Sequence, residues 1–286
     1  LIFLATVCLL VSVLAMLTWR AVRQVRLDRA LIAAIEDHNV PLALSLLERG
    51  ADGQARELAP EQPSLWSQLL DRLRGRKLPS ATGPSALAIV MQTPYRSHLW
   101  YDYTPSLPLV RALLQRGADP NAQGTDGYTA LMYAAVYDRP DLMQLLMDHG
   151  ANPNVRDDSG EFLLLFFERE SKGHVGSYLF SPPKPGQGKT LLICLCERRK
   201  PSCVKVLVDG RADVNARGDM GQTALMEGVE AGDAETVKLL LDHHADWRSK
   251  DAEGGTALQT AQIYARQGSS EHRAIVGLLK QAGATW

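Results

Sequence analysis

The chain has 286 residues, 45% of them hydrophobic and 22% charged, which is enough apolar material for a sizeable core and excludes an intrinsically disordered protein. With 31 Lys and Arg against 32 Asp and Glu, its formal charge of −1 offers no global attraction to a nucleic-acid backbone, so no nucleic-acid partner is expected. Four cysteines are too few for a disulfide scaffold, and the core must supply the stability.

Residues 1–17 contain no charge, and Thr18 and Trp19 extend the run to Arg20. A helix of that length covers the ~30 Å of a hydrocarbon layer at ~1.5 Å per residue. Trp19 stands where an interfacial aromatic belongs, and Arg20, Arg23 and Arg26 come after it. The expectation is one transmembrane helix over 1–19, a basic juxtamembrane linker over 20–27, and a folded domain over 28–286. A buried core helix would show a polar face, and only Thr6 and Ser12 are available for one. A cleavable signal peptide would need a better small-residue site than Ala15-Met16-Leu17-Thr18-Trp19. Arginines on the C-terminal side favour a cytoplasmic location for the folded domain, with a periplasmic one left open, and the compact one-anchor design fits a bacterial inner (plasma) membrane.

Beyond the basic run, two landmarks recur. Thr129-Ala-Leu, Thr223-Ala-Leu and Thr256-Ala-Leu form the first, with Thr190, Thr223 and Thr256 at successive steps of 33. The second is a small residue plus an acid or amide after a leucine-rich run, at Ala51-Asp52, Ala118-Asp119, Ala151-Asn152, Ala212-Asp213 and Ala245-Asp246, with Gly283-Ala284 as a sixth. Between the landmarks there is room for two short helices and a tight turn, so each unit is a helix pair. Thr at the first landmark caps the first helix, and Gly before the alanine ends the second in a left-handed conformation. Arg211 and His244 occupy that glycine position and are expected to strain it.

In these features the chain resembles the ankyrin repeat family, most completely over residues 127–155 with their Gly-x-Thr-x-Leu start, double alanine, Leu-Leu run and Gly-Ala-Asx-x-Asn end. The resemblance covers about residues 28–286 and implies an all-α helix-pair solenoid of about six repeats, preceded by the transmembrane helix. The family's Thr-Pro-Leu-His box is altered throughout and its histidine is absent, so contact between units is expected to be mainly apolar. The resemblance also implies a non-enzymatic protein-binding scaffold. The family's partner-facing positions fall here on Thr125, Asp126, Tyr128 and Tyr137, on Asp158, Ser159 and Glu161, on Lys189, Glu197 and Arg198, and on Asp219, Met220, Gln222 and Glu230.

Measured against the period of 33, extra residues lie near 54–82, 92–105 and 161–187. In the first, Trp66, Leu69, Leu70 and Leu73 share a helical face next to a basic cluster, fit for a membrane surface or for packing on the repeats. The second offers Trp100, Tyr101 and Tyr103 and the third Tyr178, aromatics of the kind enriched in protein interfaces, although covering exposed core is an equal use for them. Gly186-Gln-Gly-Lys-Thr190 lacks the first glycine of a phosphate-binding loop, because Pro183 stands in its place. Cys194, Cys196 and Cys203 match no common zinc spacing, so neither cofactor nor metal is expected. The expected function is an adaptor or accessory subunit of an integral-membrane complex, with residues 1–19 in the bilayer; the alternative is an inhibitor or immunity protein that binds a toxin or enzyme.

Overall fold

The structure is a computed structural model that describes residues 2–57, 83–96, 105–124, 127–157 and 188–284, with the backbone alone at 2–10, 14 and 93–96. The chain divides into two compact units, Leu1–Ala130 and Leu131–Trp286. In the first lie α1 (Ile2–Glu36), α2 (Val40–Glu48), α3 (Ala86–Arg96) and α4 (Leu107–Gln115). At the junction α5 (Ala130–Val136) begins, and α6 (Pro140–Asp148), β1 (Arg156–Asp157), β2 (Lys189–Thr190), α7 (Leu191–Glu197), α8 (Pro201–Asp209), α9 (Ala224–Glu230), α10 (Ala234–Asp242), α11 (Ala257–Arg266) and α12 (Ser270–Gln281) come after it.

Among the described residues the helices form six pairs, as the landmarks lead one to expect. In the second unit the first helices of successive pairs pack as a layer α7–α9–α11, and the second helices as a layer α6–α8–α10–α12. The two layers differ in sequence because they differ in burial. Every residue of α7 from Leu191 to Cys196 is buried, whereas α8 buries only Cys203, Val204, Leu207 and Val208, one stripe at helical spacing. Proline in the first turn starts α2, α4, α6 and α8, where a missing N–H costs nothing.

Local hydrogen bonds account for both landmarks. The hydroxyls of Thr190, Thr223 and Thr256 accept from the N–H groups of Ile193, Met226 and Gln259, and Ser85 caps Ala88 in the same way. At the other landmark the alanine N–H reaches back five residues, as in Ala151 to the Leu146 carbonyl at 3.0 Å and Ala245 to Leu240 at 2.9 Å. That closure needs a left-handed residue, and Arg211 and His244 adopt φ of 65° and 64° where Gly150 has 87°. The next residue, an Asx, then caps the backbone two residues on: Asn152 accepts from Asn154 N–H at 3.0 Å, Asp213 from Asn215 at 3.0 Å and Asp246 from Arg248 at 3.0 Å.

The structure departs from the expectations in three respects. The fold is mostly helical rather than all-α, since β1 and β2 pair antiparallel, with Arg156 opposite Thr190, and bridges join Arg56 to Ser85, Gln123 to Thr129 and Arg217 to Thr223. The basic segment 20–27, expected as a juxtamembrane linker, is helical and forms the middle of α1, which runs unbroken because no glycine or proline interrupts it. Neighbouring pairs are tied by polar bonds as well as apolar ones. Asn154 Oδ1 accepts from the Asp213 N–H at 2.8 Å, Asn215 Oδ1 from Asp246 at 2.7 Å, and Arg156 donates to the carbonyls of Gly188 and Arg217 at 2.8 and 3.1 Å.

Among the described residues no helix is long and apolar enough to cross a membrane. The span expected over 1–19 lies partly outside them, since the side chains at 1–10 and 14 are not described. Most of the three insertions, at 58–82, 97–104 and 158–187, likewise lies outside the described residues.

Candidate functional site

The residues that sequence reasoning assigned to a partner surface fall into three groups. Thr125, Asp126, Asp158, Ser159, Glu161, Trp100, Tyr101, Tyr103 and Tyr178 lie outside the described residues. Tyr128 and Tyr137 are 6% and 8% exposed, so little of either ring is available to another molecule. Lys189, Glu197, Arg198, Asp219, Met220, Gln222 and Glu230 belong to the second unit, on β2, at the end of α7, on the α8–α9 connection and at the end of α9.

Lys189 reaches from β2 across the ends of two first helices. Its Nζ lies 2.8 Å from Glu197 Oε2 and 3.1 Å from Glu227 Oε1, so its ammonium is engaged within the chain. Burial alone pulls the Lys189 pKa down, but Glu227 and Glu197 more than offset it and hold the group above the ordinary lysine range. Burial pushes the Glu227 carboxyl up, opposed by Lys189 and reinforced by Glu197 and Glu230. Two carboxylates thus share one ammonium, and a third, Glu230, lies near enough to Glu227 to raise it further. Glu230 is exposed, free of the burial that holds Glu227.

Glu197 and Glu230 occupy the same place in successive repeats, 33 residues apart, and a further 33 leads to Ile263 on α11, 54% exposed. Met220, at the tip of the α8–α9 connection, is 57% exposed. The tip is well held. Asp219 Oδ1 accepts from the Met220 N–H at 3.0 Å and from Gln222 Nε2 at 3.1 Å, and the Met220 carbonyl accepts from the Ala252 N–H at 2.9 Å. Two large apolar side chains therefore stand open on the connection before α9 and on α11, next in chain order to the helices of the acidic row, a composition suited to a protein segment with both cationic and apolar side chains.

Sequence reasoning did not single out Glu227 or Ile263. The period alone could have found Ile263 by stepping 33 from Glu230, whereas Glu227 depends on a contact with Lys189 that spans 38 positions. Two of the cysteines of the second unit are far from ordinary nucleophiles. Burial pushes the Cys196 thiol well above its usual range, and burial together with Asp138, whose Oδ1 accepts from Cys203 Sγ at 3.4 Å, pushes Cys203 up to about 12. Among the described residues no three His, Cys, Asp or Glu side chains are grouped so as to hold a metal ion.

Comparison with known proteins gives a consistent result. Two family profiles match, one described as ankyrin repeats (3 copies) over residues 161–251 and 199–284 and one as ankyrin repeats (many copies) over 113–164, together more than half of the chain. The chain is similar to an ankyrin repeat-containing protein of Treponema pallidum, 50% identical over 52 residues that make up 18% of this chain and 17% of that protein. It is also similar to the mouse ankyrin repeat and SOCS box protein 6, 32% identical over 131 residues, 44% of this chain and 25% of that protein. This chain thus spans a quarter or less of the length of those two relatives. Among solved structures, an ankyrin repeat domain from Acinetobacter baumannii matches with a TM-score of 0.59 and 21% identity over 89% of this chain and 98% of that one.

Proposed function

The chain belongs to the ankyrin repeat family, whose repeats bind other proteins, and we propose that this one is a membrane-anchored scaffold, an adaptor or accessory subunit of an integral-membrane complex. The partner engages the second unit through Glu197, Glu230, Ile263 and Met220, with basic and apolar side chains of its own. No catalytic role and no cofactor form part of this reading.

The observation that carries the anchor is the exposure of α1 before it becomes the first repeat helix. Val11, Val13, Met16, Leu17 and Trp19 are each 45% exposed or more, and at 100° per residue they spread over about two thirds of the helix circumference. A helix apolar on so many sides, and left open by the described residues, suits a hydrocarbon environment. Arg20, Arg23 and Arg26 then favour a cytoplasmic repeat domain, and a bacterial inner membrane is the setting we propose. Flotation of the full chain with membranes after carbonate extraction tests this. The chain is expected to stay with the lipid; release into the carbonate supernatant would refute the anchor.

The acidic row also supports a second reading, an inhibitor or immunity protein that covers a basic toxin or enzyme. The two separate on the nature of the partner: charge reversal by E230R should abolish protection against a soluble target in the second reading, and detach a membrane complex in the first.

A further inference from the structure

The continuity of α1 carries a consequence for where the first unit sits, resting on the membrane anchor proposed above. Gln24, where α1 is first fastened to its unit, is only five positions beyond Trp19, about 7.5 Å of helix. The fastening is specific. Gln24 Nε2 donates to the Gly50 carbonyl at 3.0 Å and to Asp28 Oδ1 at 2.9 Å, and Asp28 Oδ1 accepts from the Asp52 N–H at 2.8 Å. Buried Leu27, Leu31 and Ile35 then seat the rest of α1, which packs on α2 and α3. In between, the Arg23 guanidinium lies 5.6 Å from the centre of the Trp19 ring, and the helix has no glycine or proline at which to bend.

These bonds bring the C-terminal end of α2 level with the start of the fastened part of α1. The end of α4 stands at the same level, because Gln54 Nε2 donates to the Gly117 carbonyl at 2.9 Å and Arg116 Nη2 to the Glu48 carbonyl at 3.4 Å. Arg49 and Arg116, both exposed, come directly after the last residues of the two helices. The polar layer of a bilayer is about 5–7 Å deep on each side, so with Trp19 at its inner edge this rim lies at its outer edge.

We propose that α1 is a rigid mount that sets the α2 and α4 ends of the first unit against an anionic phospholipid surface. Arg20, Arg23 and Arg26 form a collar of charge +3 before the first acid, and Arg49 and Arg116 extend it sideways. Glu48, Asp52 and Asp119 stand on the same rim and keep their charge, Asp52 and Asp119 while accepting from the N–H groups of Gln54 and Asn121 at 2.9 Å each, so the positive sign comes from the collar: five arginines against these three acids leave a formal +2 before Asp28 is counted. The far end of the α1–α2 pair, at Asp37, is about 20 Å higher along α1 than Gln24. The first unit therefore stands upright on the membrane at one height.

The test uses the full chain in a C8S background, with a fluorophore at E48C or at D37C and vesicles carrying a headgroup quencher. Quenching at position 48 is expected to exceed that at position 37 at least threefold. A four-residue Gly-Ser insertion between Arg20 and Ala21 should collapse the difference. Phosphatidylglycerol should increase the quenching at position 48 over phosphatidylcholine alone, and R49Q/R116Q or 1 M salt should remove that increase. Equal quenching at the two positions in a chain that floats with the vesicles would overturn the mount and leave the anchor standing. Indifference to phosphatidylglycerol would overturn the anionic surface, and a chain that fails to float with either lipid would refute the anchor and the mount together.

Discussion

Lys189 and Glu227 illustrate how a half-buried ion cluster divides its energetics. Removing the ammonium by K189M leaves Glu197 and Glu227 facing each other without a counter-charge, and a loss of about 2 kcal/mol is expected, less than for a fully buried pair because the side chain keeps some solvent. Removing the carboxylate charge by E227Q should act in the opposite sense at neutral pH, since burial outweighs the pull of Lys189. Its sign comes from linkage. Glu227 binds its proton in the fold at a higher pH than in the unfolded chain, so its ionisation opposes folding above its ordinary value of 4.5. E227Q is therefore expected to be more stable than the parent at pH 7 and equal to it by pH 4.5. Lys189, raised from 10.5, contributes fully below that value and loses its contribution only as the pH climbs through its folded value. Urea midpoints from pH 4 to pH 8 check the E227Q prediction, and a midpoint difference independent of pH would contradict it. Backbone strain gives a second prediction at this scale. R211G and H244G should each stabilise the chain, by about 1 kcal/mol or less, because a left-handed residue with a Cβ is strained and glycine is not; thermal melts measure it.

At the scale of the element, the repeat landmarks were legible because they are local. A threonine cap, a left-handed closure and an Asx turn each engage groups within five residues, so their sequence signals recur wherever the geometry does. The turns between paired helices were less legible. His38, Asp138 and Arg199 take φ of 55°, 52° and 53° there, with no glycine to announce the bend. The helical state of 20–27 was open to reading from the absence of glycine and proline, but the arginine run invited a linker instead. Ties between neighbours were missed because the family's histidine is absent and the amide of the Gly-Ala-Asx-x-Asn end takes part of its role. N215A tests that role. It removes the acceptor of the Asp246 N–H and should cost about 1 kcal/mol, with hydrogen exchange at Asp246 accelerating before that at Val214. Exchange unchanged at Asp246 would contradict the tie.

Across the whole molecule, the sequence period conveys the repeat fold, and the contacts that join distant positions convey the candidate surface. Glu227 enters the site only because α9 lies beside α7, and Tyr128 and Tyr137 leave it because they are drawn into the core. Of the residues that remain, Glu230, Ile263 and Met220 are exposed and Glu197 is half-buried against Lys189, an arrangement suited to binding another protein. In the proposed reading this surface of the repeat domain holds another protein, one of the membrane to which the chain is anchored. Photo-crosslinking of the full chain in its native membranes, from probes at Met220, Glu230 and Ile263 and from a control at Lys238 on α10, tests it most directly. The account predicts that the three probes capture one integral-membrane protein, that E230R abolishes the capture at Met220, and that Lys238 does not yield it. Capture of that protein from Lys238 alone, or equal capture from all four positions with E230R without effect, would contradict it.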